Sequence, residues 1–314
     1  MPNVCVCYTT DVGYLFPSFV SALQARWNSQ VNHTDILLLG IDIDSETKKI
    51  FTKICDDAGI IFQTHSRSEI GDAPTTLARL FLADFLPQTY ERFLYVDGDT
   101  QIRGNIERIL NYPLPAGKFS AVTDPMCFTL GDNDGQSIDF KDHFLSLGLN
   151  EQQMHKYFNA GVFYAERGGW EKIGREAWEK FLSLGRKVRF LDQDVMNIVG
   201  LPHRLSMSFA RNFPIFLKNT DLEEKIRPSI YHFMSSPKPW DGNFIPWDRT
   251  ASLPYEEITG LYPQLRPYWK RMDWKKRQRY HLQQRFKRWQ ERREWGGERE
   301  RRIMAYEANV DIKC

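Results

Sequence analysis

Short runs of strand-forming residues alternate with amphipathic stretches from the first residues onward, and no other feature of this chain restricts its fold as much. Val4 to Tyr8, Ile36-Leu37-Leu38-Leu39, Ile60-Ile61-Phe62, Phe93-Leu94-Tyr95-Val96, Phe119 to Thr123 and Gly161 to Ala165 read as buried strands. Leu15 to Trp27, Ser45 to Ala58 (capped by Ser45), Trp170 to Leu184 and Gln193 to Val199 read as helices. Leu77, Leu80, Phe81 and Phe85 recur at helical spacing ahead of the Phe93 strand, and Phe140 to Leu147 suggests a short helix within a polar stretch after Thr123. Strand and helix in turn imply the α/β class: a single Rossmann-like domain on a mostly parallel central sheet, binding ligands at strand ends.

The Phe93 strand stops at Asp97-Gly98-Asp99-Thr100. Gly98 lets the chain turn and keeps two carboxylates close, and these repel unless a cation lies between them. Hard oxygen ligands at this spacing suit Mg²⁺ or Mn²⁺ carrying a phosphorylated substrate; a plain polar loop has the same pattern. Tyr8 ends the first strand in a position to lie against a base, with Thr10 and Asp11 offering polar partners to uracil and ribose, although a strand-end turn reads alike. Arg79 lies on an otherwise apolar helix face and, if buried, requires a diphosphate, sugar or carboxylate partner. His232 precedes Lys238 by six residues, with Pro237 and Pro239 stiffening the approach. Imidazole suits Mn²⁺ better than Mg²⁺, and an ammonium neutralises a leaving phosphate. Asn159 and Asp192-Gln193 carry groups suited to sugar hydroxyls; Asp192 reads equally as a helix N-cap.

In chain order, six motifs resemble one family. They are Tyr8-Thr9-Thr10-Asp11 with Tyr14; Leu77-Ala78-Arg79-Leu80; Tyr95-Val96-Asp97-Gly98-Asp99-Thr100; Phe158-Asn159-Ala160-Gly161-Val162; Asp192-Gln193-Asp194; and the segment from His232 through Ser235 and Lys238 to Trp240. Together they are similar to the retaining glycosyltransferases of family eight, which include bacterial lipopolysaccharide glucosyl- and galactosyltransferases and glycogenin. The resemblance implies a GT-A-type nucleotide-sugar-binding fold. It also implies metal-dependent transfer of a hexose, glucose or galactose, from a UDP-sugar to a hydroxyl of a glycan or lipid-linked acceptor, in lipopolysaccharide or other surface-glycan synthesis. By resemblance, Asp97, Asp99 and His232 hold Mn²⁺ (or Mg²⁺), and Tyr8, Thr10, Asp11 and Tyr14 hold the uridine. Arg79, Gly98, Ala160, Gly161, Ser235 and Lys238 complete the donor site, while Asn159, Asp192, Gln193 and Lys238 act at the reacting sugar. The chain departs from the family pattern in carrying Gly98 for alanine, a change expected to be harmless, Ser235 for glycine, and the large Tyr8.

Two rival readings start from the same residues. An apolar strand followed by Asp-x-Asp also resembles the haloacid dehalogenase phosphotransferases, with Asp97 as nucleophile and Asp99 as acid/base, but this leaves Asn159, Gln193 and residues 232–240 without a role. A nucleotide-sugar-binding protein without catalysis predicts the loss of a ligand or sugar-handling residue, and none is lost.

The charge divides the chain. Residues 1–265 carry 26 Lys and Arg against 33 Asp and Glu, whereas residues 266–302 carry 15 against 5. A catalytic domain over 1–265 and a basic helical tail over 266–314 are therefore expected. Tyr268, Trp269, Trp274, Tyr280, Phe286, Trp289 and Trp295 are interleaved with the basic residues, and Leu282, Phe286 and Trp289 fall on one helical face. Aromatics among Lys and Arg suit an anionic membrane surface better than nucleic acid. With no apolar run near 18 residues, no signal-like start and five cysteines (Cys5, Cys7, Cys55, Cys127, Cys314) lacking a Cys-x-x-Cys, the expected location is cytoplasmic, peripheral on the inner membrane face.

Overall fold

The computed structural model describes residues 3–30, 34–184 and 188–313. The described strands are β1 (Val4–Thr10), β2 (Asp35–Ile41), β3 (Ile61–His65), β4 (Arg92–Val96), β5 (Thr100–Ile102), β6 (Phe119–Thr123), β7 (Phe158–Glu166), β8 (Arg204–Ser206), β9 (Phe213–Pro214) and β10 (Ile230–His232). The helices are α1 (Leu15–Trp27), α2 (Ser45–Ala58), α3 (Leu82–Phe85), α4 (Glu107–Leu110), α5 (Gly135–Ser146), α6 (Glu151–Met154), α7 (Arg167–Leu184), α8 (Leu191–Gly200), α9 (Leu222–Ile226), α10 (Arg249–Leu261), α11 (Trp274–Trp295) and α12 (Glu298–Asn309).

Seven strands form one sheet in the order β3-β2-β1-β4-β7-β6-β8. Four of its pairings are parallel, and β7 alone runs against both neighbours, β4 and β6. The chain winds outward from β1 to β3, then returns past β1 to β4. That reversal opens a crevice beyond the carboxyl ends of β1 and β4. Both faces of the sheet are covered, which is why its strands read as unbroken apolar runs. Val4, Val6 and Tyr8 of β1 pack with Phe16, Phe19 and Phe51 on one side, and Cys5 and Cys7 pack with the Tyr95 and Trp170 cluster on the other.

A second, three-stranded sheet, β5-β10-β9, matters more for the site. β10 pairs antiparallel with β5, setting His232 opposite Thr100, and Phe233 N donates to Asp99 O at 2.9 Å. This ladder carries the histidine to the Asp-Gly-Asp turn from 133 residues further along the chain.

Several local expectations shift. Helix α2 is capped by Asp44 rather than Ser45, the Asp44 carboxylate accepting from Glu46 N and Thr47 N. The Leu77–Phe85 region is a 3₁₀ turn over Thr75–Phe81 followed by α3, and this tighter winding stacks Thr76 over Arg79, whose Nε donates to Thr76 O at 3.0 Å. Helix α8 begins after Phe190, so Asp192 is inside the first turn and is not its N-cap.

Residues beyond 265 are helical as expected, but they pack into the body. Trp295, Ile303 and Ile312 belong to the same apolar core as α1, and Met207 and Ile312 form a β-bridge. Trp269 donates to Trp240 O and Tyr268 to Thr47 Oγ1, so these two rings face inward. Trp274, Leu282, Phe286 and Trp289 are 60–70% exposed on α11. The four described cysteines, Cys5, Cys7, Cys55 and Cys127, are free and buried, and Cys314 lies outside the described residues. No helix among the described residues is long and apolar enough to cross a membrane.

Candidate active site

The crevice at the β1/β4 switch is a cavity of about 290 Å³ whose walls include Thr10, Asp11 and Tyr14 as well as Arg79, Asp97 and Asp99. Asp11 is partly spent on its own turn, its Oδ1 accepting from Gly13 N at 2.8 Å and Tyr14 N at 3.3 Å. Tyr14 is half exposed and meets Trp240 edge-on, the ring centroids 5.6 Å apart.

Tyr8 is a correction. Its ring is fully buried in the core and its hydroxyl accepts from Ser21 Oγ at 3.2 Å, so it does not line the cleft. Tyr8 faces the helix layer with Val4 and Val6, and its size fills that layer. Thr9, on the other face, lines the cleft and meets Tyr95 OH at 3.1 Å. Ser235, between His232 and Lys238, is exposed.

Asp97, Asp99 and His232 each bring a ligand atom within 4.8 Å of the others. His232 Nε2 lies 3.2 Å from Asp99 Oδ1 and 3.9 Å from Asp97 Oδ2. The chemistry of this set fits a hard divalent cation with one nitrogen ligand. A chain of amides prepares the histidine for it. Gly161 N donates to Asn159 Oδ1, Asn212 Nδ2 donates to the same oxygen, and Asn212 Oδ1 therefore faces His232 Nδ1 at 2.9 Å. An Nδ1–H donated to that oxygen would leave Nε2 free to bind a cation placed between it and the carboxylates. Gly161 supplies the space: a Cβ there would lie 2.2 Å from His232 Cε1 and 2.9 Å from Asp97 Oδ2.

Charge around the cluster is balanced by two buried cations. Arg79 Nη2 donates to Asp97 Oδ1 at 2.8 Å, Nη1 to Ala160 O at 2.8 Å, and Nε lies 3.1 Å from Asp192 Oδ2. Burial works against the guanidinium charge, and Asp192 and Asp97 more than restore it. Of the partners open to Arg79 from sequence, the structure therefore shows the carboxylate. Tyr95 OH donates to the same Asp97 Oδ1 at 2.8 Å, leaving Oδ2 to face the histidine. Lys238 Nζ donates to Asp99 Oδ2 at 2.6 Å. Burial alone would raise the Asp99 carboxyl, but Lys238 and His232 hold it well below the usual range.

Beside this cleft a second, mostly apolar cavity of about 320 Å³ opens over Asp124, Asn159 and Gln193. Phe140, Phe190, Phe216 and Trp295 are among its walls. The Gln193 amide is held on both ends: Oε1 accepts from Ala160 N at 3.0 Å and Asn159 Nδ2 at 3.2 Å, and Nε2 donates to Asp124 Oδ2 at 3.2 Å. Burial raises the Asp124 carboxyl, outweighing hydrogen bonds from Met126 N, Asn159 and Gln193. Burial also raises Asp192, opposed by Arg79 and reinforced by Asp97. Asp194, the last residue of its motif, points away and ties Tyr157, His143 and Phe190 N together.

The Glycosyl transferase family 8 model matches residues 5–243. The chain belongs to that family. Over 195 residues this family 8 protein is 25% identical to lipopolysaccharide 1,2-glucosyltransferase of Escherichia coli (strain K12), covering 57% of this chain and 52% of the relative. It is 27% identical over 201 residues to glycosyltransferase 8 domain-containing protein 1 of Xenopus tropicalis, covering 58% and 53%. The chain thus spans about half the length of these curated relatives. Among solved structures, the galactosyltransferase LgtC in complex with donor and acceptor sugar analogs superposes with a TM-score of 0.61 at 18% identity, covering 82% of this chain and 95% of that one. The bifunctional glycosyltransferase WbbM superposes at 0.64 and 20%, covering 82% and 49%. The fold is the GT-A type, which leaves the phosphotransferase reading without support.

Asn212, Tyr95, Thr9 and Asp124 had no assigned role in the sequence. Asp124 alone carried a signal: like Asp97, it ends an apolar strand.

Proposed function

We propose that this family 8 protein transfers a hexose, glucose or galactose, from a UDP-sugar to a hydroxyl of a glycan or lipid-linked acceptor, with retention at the anomeric carbon. The observation that carries this reading is the convergence of Asp97, Asp99 and His232 at the switch-point crevice, beside the groove over Gln193. Mn²⁺, or Mg²⁺, held by those three residues would supply Lewis acidity toward the diphosphate. Thr10, Asp11 and Tyr14, which line the same crevice, receive the uridine. Lys238, one carboxylate away from the metal ligands, adds positive charge where the leaving diphosphate gathers negative charge. Arg79 acts through Asp97 and Asp192, fixing both carboxylates, while Asp192, Asn159 and Gln193 orient the reacting sugar.

Gln193 is a poor nucleophile, and its carbonyl oxygen is already bonded twice. Front-side attack fits this arrangement better than a covalent intermediate. The acceptor oxygen bonds C1 on the face from which the C1–O phosphate bond breaks, and its proton passes to the departing phosphate oxygen. The aromatic groove receives the acceptor, and the similarity to lipopolysaccharide hexosyltransferases supports a surface-glycan acceptor. The exposed Trp274, Leu282, Phe286 and Trp289 on the basic helix α11 support docking of the enzyme on an anionic membrane at the inner, cytoplasmic face.

The test is UDP release from UDP-glucose, UDP-galactose and other UDP-sugars with Mn²⁺ and a glycan acceptor. Turnover is expected to vanish in EDTA and in Asp97→Ala, Asp99→Ala or His232→Ala. The anomeric proton coupling of the product should be the small one of an α-linkage. Full activity in EDTA would remove the metal, and a large coupling would remove retention.

A further inference from the structure

The floor of the donor cleft holds a hydroxyl with no partner. Ser18, one turn after Tyr14 on α1, is fully buried and lines the cleft, yet its Oγ makes no hydrogen bond. Such orphaned buried groups are rare because they forfeit their bonds to water. Thr10, Arg79, Asp97 and Asp99 in the same walls all have partners within the protein, whereas Thr75 Oγ1 is a second buried hydroxyl there without one.

Gly98 explains how this hydroxyl is accommodated. A Cβ at position 98 would lie 2.1 Å from Ser18 Oγ and 3.1 Å from Ser18 Cβ. With Ser18 in this rotamer a Cβ at position 98 finds no room, which bears against the expectation that Gly98 is a harmless change. The two residues are a matched pair.

Asp11 and Tyr14 line the same cleft as Asp97 and Asp99, and Ser18 stands one turn after Tyr14 on α1 and directly against Gly98. On the reading that a nucleoside diphosphate fills the cleft, which this inference rests on, the base goes to Asp11 and Tyr14 and the diphosphate to the residues around Asp97 and Asp99. The ribose, which joins base to diphosphate, then comes to Ser18. We propose that Ser18 Oγ hydrogen-bonds a ribose hydroxyl of the donor nucleotide, making the Ser18–Gly98 pair a specificity determinant of this chain.

Calorimetry on the full chain with Mn²⁺ tests the contact, titrating UDP, 2′-deoxy-UDP and 3′-deoxy-UDP into the wild type and Ser18→Ala. The substitution removes only an unbonded oxygen, so the fold should be unaffected. It should weaken UDP about tenfold, the usual value of one hydrogen bond in a buried site. For one of the two deoxy analogues, wild type and variant should bind alike. Gly98→Ala should also weaken UDP by displacing the hydroxyl. Equal UDP affinity in wild type and Ser18→Ala overturns the contact. Equal losses for UDP and both analogues overturn its assignment to ribose. A wild type that binds no UDP overturns the nucleotide reading, and the contact with it.

Discussion

Asn212→Ala is the perturbation that best separates a prepared metal site from three residues that merely lie close. Asn212 is 2% exposed and His232 is 4% exposed, so water does not replace what the substitution removes. The 2.9 Å bond to His232 Nδ1 and the 2.8 Å bond to Asn159 Oδ1 are both lost. A buried polar group left without a partner costs about 1–3 kcal/mol; His232 Nδ1 is left so, whereas Asn159 Oδ1 keeps Gly161 N, and the loss of stability is therefore about 1–3 kcal/mol. The imidazole also loses the acceptor that fixes its proton on Nδ1 and its Nε2 toward Asp97 and Asp99. Loss of such an outer partner typically lowers metal affinity about 10- to 100-fold. Free Mn²⁺ measured by electron paramagnetic resonance during titration, alongside melting curves, reads both quantities. Asn212→Asp keeps an acceptor for Nδ1–H and should retain more Mn²⁺ affinity than Asn212→Ala. A folded Asn212→Ala protein with wild-type Mn²⁺ affinity would refute the argument that Asn212 orients the histidine.

Gly161→Ala forces a methyl group to within 2.2 Å of His232 Cε1, so Mn²⁺ binding should fall sharply, with about 1–3 kcal/mol of destabilisation from overpacking; unchanged Mn²⁺ titration would contradict the close approach. Replacing Leu282, Phe286 and Trp289 together with serine should reduce flotation with anionic vesicles while UDP binding persists. These point variants are preferable to deleting residues 266–314, which would also strip Trp295, Ile303 and Ile312 from the core; flotation equal to wild type would remove the docking role from α11. The Asp194 carboxyl, which burial would raise, is instead held below its ordinary value by His143, Tyr157 and Phe190 N. A depressed folded-state pKa stabilises the fold fully above the unfolded value of about 3.9, and that contribution is lost as pH falls from there through the lower folded-state value. The melting temperature should therefore drop on acidification below about pH 4, and Asp194→Asn should flatten that limb; identical acid limbs would count against the assignment.

Much of the fold was legible because its cause is local. The alternation of apolar runs with amphipathic stretches follows from a sheet covered on both faces, and it predicted β1, β2, β3, β4, β6 and β7 nearly in place, leaving the short β5 unread. Asp97-Gly98-Asp99 was legible for the same reason: the carboxylates, the turn and the end of the apolar run lie in consecutive residues. The family resemblance then supplied His232 and Lys238, which nothing in their own segment would single out as neighbours of Asp99.

What only tertiary structure decided is which groups meet. The reversed direction of β7 and the pairing of β10 with β5 depend on contacts across long stretches of chain, and no local periodicity records them. Asn212 lies in irregular chain between short elements, yet its side chain meets His232 Nδ1 at 2.9 Å. Tyr8 lies near the carboxyl end of β1, beside the cleft, but the packing of β1 on α1 turns its ring inward. The aromatics after residue 265 have one composition and two roles: Trp295 closes a groove beside Gln193, whereas Trp289 faces solvent. Residue type and spacing determine which groups are available; the packing of distant segments determines their partners, because a buried amide, hydroxyl or carboxylate must find its bonds among whatever groups the fold brings beside it.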